Sequence, residues 1–145
     1  MVRVTGGGGK AVNVQILGVG EVMRMLRAKG KKIERGADFG VVRAGTFIQE
    51  EVKESIIGNR AEPKSVDSGR LANSIEFEKT GKAQGVVKPK KEGYPNSKAT
   101  TEDVATFMEY GTSRNPHPRS HFRNTKTRNI NKVEDIIKSE IKRAV

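Results

Sequence analysis

Ile33, Ala37, Val41, Ala44, Ile48, Val52 and Ile56 follow one another at steps of four or three residues. An α-helix turns once every 3.6 residues, so this spacing draws one unbroken apolar stripe along a helix of about six turns. Gly58-Asn59 ends the pattern, as a left-handed cap does. Gly36, Gly40 and Gly45 stand inside the helix, and each costs up to ~1 kcal/mol relative to alanine. Their return is close approach by another element, which is either the core of this chain or a neighbouring subunit.

The remaining segments supply what can lie against that stripe. Ile130, Val133, Ile137 and Ile141 form a second apolar stripe, with Ile136 beside it. Lys138, Lys142 and Arg143 gather near its carboxyl end, where the helix dipole favours cations. Residues 11–17 (Ala-Val-Asn-Val-Gln-Ile-Leu) alternate imperfectly and predict a first strand closed by Gly18 and Gly20. Val22, Met25 and Leu26 share one face of a short helix ending at Gly30. Residues 75–79 alternate apolar and charged as a half-buried strand does, and a turn at 80–83 lets 84–88 pair back as a hairpin. Thr100 with Asp103 predicts a capping box opening a short helix, whose buried face is expected to be Val104, Phe107 and Met108, with Gly111 as its end.

The fold class that follows is α+β: a small antiparallel sheet, made of the hairpin plus an N-terminal strand, packed against a long central helix and a carboxyl-terminal helix. Residues 1–10, with the run Gly6–Gly9, are expected to be a flexible arm before a single domain over 11–145. Residues 82–100 are expected to be an exposed basic loop, because Lys88 to Lys98 is rich in proline, glycine and charge.

Composition narrows the chemistry. The 145 residues are one domain's worth, and apolar residues plus glycine reach about 45%, enough for one modest core. There is no cysteine, so disulfides, thiolate zinc sites and a cysteine nucleophile are excluded. No stretch approaches the ~18 apolar residues of a membrane span, and no secretion signal is expected. The formal net charge of +11 predicts attraction to an acidic partner, whether nucleic acid, protein or an anionic surface.

Catalytic constellations are sparse. The two histidines, His117 and His121, are four apart with Pro118 between them, which suits a polar loop edge better than a metal site. The Gly6–Gly9 run before Lys10 lacks the flanking strand, helix and Gly-Lys-Ser/Thr ending of a phosphate loop. No serine is flanked as in a nucleophile elbow. No enzyme and no cofactor is expected. Arg114, Arg119, Arg123, Lys126 and Arg128 surround His117, His121 and Phe122, a composition suited to phosphates. Aromatics at 5% are few for a stacking platform, and no nucleic-acid-binding signature is present.

The stretch Val104-Ala-Thr-Phe-Met-Glu-Tyr-Gly-Thr-Ser-Arg-Asn-Pro-His-Pro-Arg-Ser-His-Phe122 resembles the signature of a minor tail-component family of long-tailed double-stranded-DNA phages and proviruses, the small head–tail joining or tail-completion proteins. Glu109, Tyr110, Gly111, Thr112 and Ser113, then Pro118, Phe122 and Arg123, fall on that pattern. Upstream, Gly69, Arg70, Leu71 and Ser74 within residues 67–75 resemble a second element of the family, and the order of elements agrees over roughly residues 21–144. Region 82–100 is longer and more basic than the family pattern, and residues 124–129 are unusually polar.

The resemblance implies a virion structural protein of the phage neck or tail. Its expected partners are other neck and tail proteins and further copies of itself in a ring, with no membrane partner. Lys88, Lys90, Lys91, Arg114 and Arg119 are the candidate basic surface, facing DNA or an acidic protein. A stand-alone basic nucleic-acid-binding protein is the alternative. Read without the family, Gly111 permits the positive φ that turns the chain, Tyr110 can bury its ring and leave its hydroxyl outward, and Phe122 anchors the last helix.

Overall fold

The computed structural model describes residues 2–7, 10–17, 30–65, 69–114 and 116–145. The predicted helix around Val22, Met25 and Leu26 lies outside the described residues, as do Gly18 and Gly20. The long helix α1 spans Lys31–Ile56. All seven residues of its predicted stripe are buried, together with Gly36, Gly40, Gly45 and Ser55. It ends as the sequence predicts, with Gly58 at φ +93° and Asn59 N donating back to Glu54 O at 2.9 Å.

The glycines show what the helix approaches. The last helix of the chain, His121–Ala144, runs against α1 so closely that a Cβ on Gly40 would lie 2.8 Å from the Ile137 Cα. A Cβ on Gly36 would lie 2.9 Å from the Ala144 Cβ, the Glu140 carbonyl oxygen and the Ile141 Cα. Backbone there nearly touches backbone, and only glycine allows it. Of the two partners the sequence left open, the core of the same chain is the one observed. Arg43 pairs with Glu140 across the outside of the same crossing.

The sheet has four antiparallel strands in the order β1-β2-β4-β3, namely β1 Val2–Gly7, β2 Lys10–Leu17, β3 Ile75–Gly81 and β4 Gln84–Pro89. The expected hairpin and N-terminal strand are all present, so the chain is α+β with the sheet against the two long helices. The expected arm over 1–10 is corrected over most of its length. Val2–Gly7 is a strand paired to β2 with Val4 opposite Val14 and a register shift between Thr5 and Gly7. The alternation Val2, Val4 carries the period of a strand.

One face of the sheet is buried. Val12, Val14 and Ile16 from β2 and Val87 from β4 are fully covered, and Val14 pairs with Val87. Phe77, opposite Val87 on β3, wedges its ring into gaps left by two glycines. A Cβ on Gly45 would lie 2.2 Å from that ring, and one on Gly85 would lie 2.1 Å from it. The β3 edge is partly closed by α1, since Gln49 Oε1 accepts from Phe77 N at 2.7 Å. Asp38 of α1 ties down the β3–β4 turn by accepting from Ala83 N at 2.9 Å and from Lys79 Nζ.

The expected loop over 82–100 is likewise corrected. Its first part is the turn and β4, and its second part holds a small hairpin, β5 Gly93–Tyr94 with β6 Ser97–Thr100. Glycine and proline there mark a tight reversal between two short strands. A short helix α2, Arg70–Ser74, precedes the sheet hairpin, and α3, Thr101–Tyr110, follows β6. The last helix, His121–Ala144, is α4. One apolar core joins α1, α4, β2, β4 and the inner faces of α2 and α3. Among the described residues, no helix is long and apolar enough to cross a membrane.

Candidate functional site

The motif residues meet at the corner between α3 and α4. The capping box forms as its spacing predicts: Asp103 N donates to Thr100 Oγ1 at 3.3 Å and Thr100 N to Asp103 Oδ2 at 2.9 Å. The helix it opens is rotated from expectation, however. Thr101, Ala105 and Glu109 are buried, Val104 and Met108 are partly covered, and Phe107 is 49% exposed. The steps 101, 105, 109 put a carboxylate on the inward face, and that carboxylate explains the rotation.

Glu109 is fully buried beneath the start of α4. Its Oε1 accepts from Phe122 N at 2.9 Å, and its Oε2 accepts from Arg123 N and Arg123 Nε, both at 3.0 Å. The first backbone N–H groups of a helix have no partner within the helix and carry its positive dipole end, so a carboxylate from a neighbouring helix suits them. Arg123 also donates to Glu109 O at 2.7 Å, and Ser120 Oγ donates to the same carbonyl at 3.1 Å. Burial pushes the Glu109 carboxyl up, and the two backbone donors and the guanidinium beside it act against that push. Gly111 turns the chain at φ +77°, with its N–H returned to Phe107 O at 2.8 Å. Phe122, 2% exposed, anchors the new helix in the core as expected.

Tyr110 departs from expectation, with 38% of its surface exposed and the Arg123 guanidinium stacked 4.6 Å from its ring centre. Phe107 and Tyr110 are three residues apart, so they are neighbours on the outer side of α3. Beside them lies an open groove of about 290 Å³ lined by Val104, Phe107, Met108, Thr112, His117 and Arg119. Ser113 and Arg114 are exposed just past Gly111, and Pro118 is exposed in the link to α4.

A second polar cluster lies behind the corner. His121, expected at a loop edge, is 2% exposed and held between two serines, with Nδ1 2.7 Å from Ser55 Oγ and Nε2 2.8 Å from Ser65 Oγ. Ser55 gives its proton to Glu62 Oε1 at 2.6 Å, so it accepts from His121, which assigns the hydrogen to Nδ1. Glu62 is also gripped in bidentate fashion by Arg128, at 2.7 and 2.9 Å. Asn124 donates to it at 3.2 Å. Burial favours the neutral form of Glu62, but Arg128, Ser55 and Asn124 outweigh it and hold the carboxyl at about 2. Burial pulls the His121 imidazole down to about 4, with Arg119 and Arg128 adding to the effect and Glu62 opposing it.

A serine hydroxyl at 2.8 Å from an imidazole has the spacing of a nucleophile and its base. Ser65 and His121 are both buried, and with Ser55 they join α1, the 59–65 loop and α4. Both ring nitrogens of His121 are engaged by hydroxyls. Among the described residues no group of three metal-ligating side chains converges.

The upstream element occupies a separate corner. Gly69 adopts φ +79° at the start of α2, Leu71 is buried, and Ser74 Oγ donates to Leu71 O at 2.6 Å. Arg70 lies 5.7 Å from the Tyr94 ring centre, with Nη1 3.7 Å from Glu92 Oε2. α2 packs on α3, so the two motif segments are joined through their helices. The basic candidates are dispersed in their engagements. Lys88 pairs with Glu78 at 3.0 Å, Arg119 reaches Lys64 O and Ser65 Oγ at 3.3 Å, and Lys90, Lys91 and Arg114 are exposed.

No family model, curated protein or solved structure matches the chain.

Proposed function

We propose that this chain is a virion structural protein of a tailed phage or provirus, joining or completing the tail at the head–tail interface by protein–protein assembly, with no catalytic step. One observation carries the reading: a corner fixed from within and open without. Glu109 clamps α3 to α4, while Phe107 and Tyr110 stay exposed beside the Arg123 guanidinium. Exposed aromatic residues flanked by arginine on a rigid base are what protein interfaces use as anchors. The motif residues Glu109 to Ser113, Pro118, Phe122 and Arg123 build that corner, which is where the resemblance to tail-component proteins is concentrated.

In this reading the partners are other neck and tail proteins and further copies of the chain in a ring. The exposed Lys90, Lys91 and Arg114 face DNA or an acidic neighbour. The test is genetic and biochemical together. Deleting the gene should leave heads and tails that do not join, and the protein should be found in purified particles. Joined, infectious particles from the deletion, with a purified protein that stays monomeric beside its neck and tail partners, would overturn it. The net charge of +11 favours a second reading, binding to bare nucleic acid. Tight binding of naked DNA that falls steeply as salt rises would favour that reading instead.

A further inference from the structure

Helix α1 carries a second stripe on the side that its buried residues leave outward. Lys32, Arg35, Phe39, Val42, Thr46 and Glu50 follow at steps of three and four, and all six are exposed. Phe39 and Val42, 66% and 38% exposed, are the two large apolar side chains that α1 leaves uncovered. The stripe is therefore cationic at one end, apolar in the middle and acidic at the other. Among the described residues Lys32 and Arg35 have no hydrogen bond or ion pair. Glu50, its side chain 59% exposed, meets Lys53 Nζ at 3.9 Å and Gln49 Nε2 at 3.3 Å along its own helix surface, which leaves most of the carboxylate in water. We propose that a second copy of the chain packs antiparallel along this stripe, about a two-fold axis level with residue 41. Phe39 of each copy then lies on Val42 of the other, and Lys32 of each lies opposite Glu50 of the other.

The order of the charges selects both the occupant and its direction. Lys32 and Glu50 stand nine residues to either side of residue 41, about 13 Å each way at 1.5 Å per residue. Turning a second α1 end for end about that level brings Lys32 of one copy level with Glu50 of the other, and does so twice. Arg35 lies one turn inward of Lys32, within reach of the same carboxylate. The same turn sets Phe39 within about 1.5 Å along the axis of the partner's Val42. A parallel copy puts Lys32 on Lys32 and Glu50 on Glu50. An acidic peptide or a phosphate backbone suits Lys32 and Arg35 but meets Glu50 at the far end. The net charge of +11 on each copy opposes pairing, yet at 0.15 M salt screening over about 8 Å leaves the nearest charges to decide, and these are complementary. One helix face about 27 Å long is a small interface, so the association is micromolar. A two-fold contact closes at two copies, so it is separate from the head-to-tail contact a ring needs and stands without the neck reading.

Sedimentation velocity of the full chain over a concentration series, at about 0.15 M salt, tests this. A monomer–dimer equilibrium with a micromolar Kd is expected. Phe39→Ser should weaken it about tenfold or more, while Phe107→Ser, at a residue 49% exposed on α3, should leave it unchanged. Lys32→Glu and Glu50→Lys should each weaken it about tenfold, and the two together should recover most of the loss, since the swapped charges meet again. The chain has no cysteine, so a single introduced one reports the geometry. Val42→Cys lies about 3 Å along the axis from its counterpart and should give a disulfide-linked dimer on oxidation; Glu50→Cys, about 27 Å from its counterpart, should not. Circular dichroism establishes that the variants are folded. The proposal is overturned by a protein that stays monomeric at about 1 mM, by a dimer indifferent to Phe39→Ser, by a charge swap without recovery, or by Glu50→Cys linking as readily as Val42→Cys. A monomer that binds an acidic peptide or duplex DNA through Phe39 would overturn it in favour of that partner. None of these results bears on the joining of heads to tails, which is read from the deletion.

Discussion

Gly40 and Gly45 look alike in sequence and differ in what a methyl group would meet. At Gly40 the obstacle is the Ile137 backbone, which can yield only if the two long helices separate. Alanine gains up to ~1 kcal/mol of helix propensity there, and overpacking a tight contact costs about 1–3 kcal/mol. Gly40→Ala is therefore expected to lower stability by about 1 kcal/mol or more in urea denaturation; an increase would show that the crossing is looser than its distances. At Gly45 the obstacle is the Phe77 side chain alone. Gly45→Ala should also destabilise, but Phe77→Leu placed in that background should recover part of the loss. A double-mutant cycle should give a coupling of about 0.5–3 kcal/mol, and strict additivity would count against the wedge.

At the level of elements, the corner depends on a carboxylate borrowed from one helix by the next. Glu109→Gln keeps the shape, but an amide has one accepting oxygen where the carboxylate has two, and it carries no charge. Phe122 N or Arg123 N then faces an NH2 group, and the Arg123 guanidinium loses its partner. The expected cost is about 3 kcal/mol by urea denaturation, and a change under about 1 kcal/mol would mean that solvent replaces the cap readily. Such dependence was poorly visible in the sequence. The two apolar stripes, the hairpin and the Thr100–Asp103 box were legible because each is set by spacing within one segment. The inward turn of Glu109 was not, because its partners Phe122 and Arg123 are thirteen and fourteen residues away. The same holds for His121, read as a loop edge from the prolines before it and buried because Ser55 and Ser65 wait for it. A hint lay in the four-residue steps Thr101, Ala105, Glu109, which trace the buried face of α3 better than Val104, Phe107 and Met108 do.

For the molecule as a whole, the His121–Glu62 cluster ties stability to pH. A histidine whose folded pKa is about 4 takes up its proton in the unfolded chain first, near 6.5. Folding stability is then complete above pH 6.5 and falls as the pH drops toward 4, by at most about 1.4 kcal/mol per pH unit. Glu62, held at about 2 against 4.5 when unfolded, extends the decline, with loss between about pH 4.5 and 2. Between pH 6.5 and 5 the slope belongs to the imidazole, so His121→Asn should flatten stability against pH there in thermal melts. An unchanged slope would place the proton elsewhere. The contact between the two long helices also bears on how the sequence can drift. Since Gly36 and Gly40 touch backbone and not only side chains, no single compensating change at 137, 141 or 144 can make room for a larger residue. A library mutagenised across both helices should therefore return these two glycines almost invariant, while positions 45, 77 and 85, which meet through one ring, should change as a correlated set.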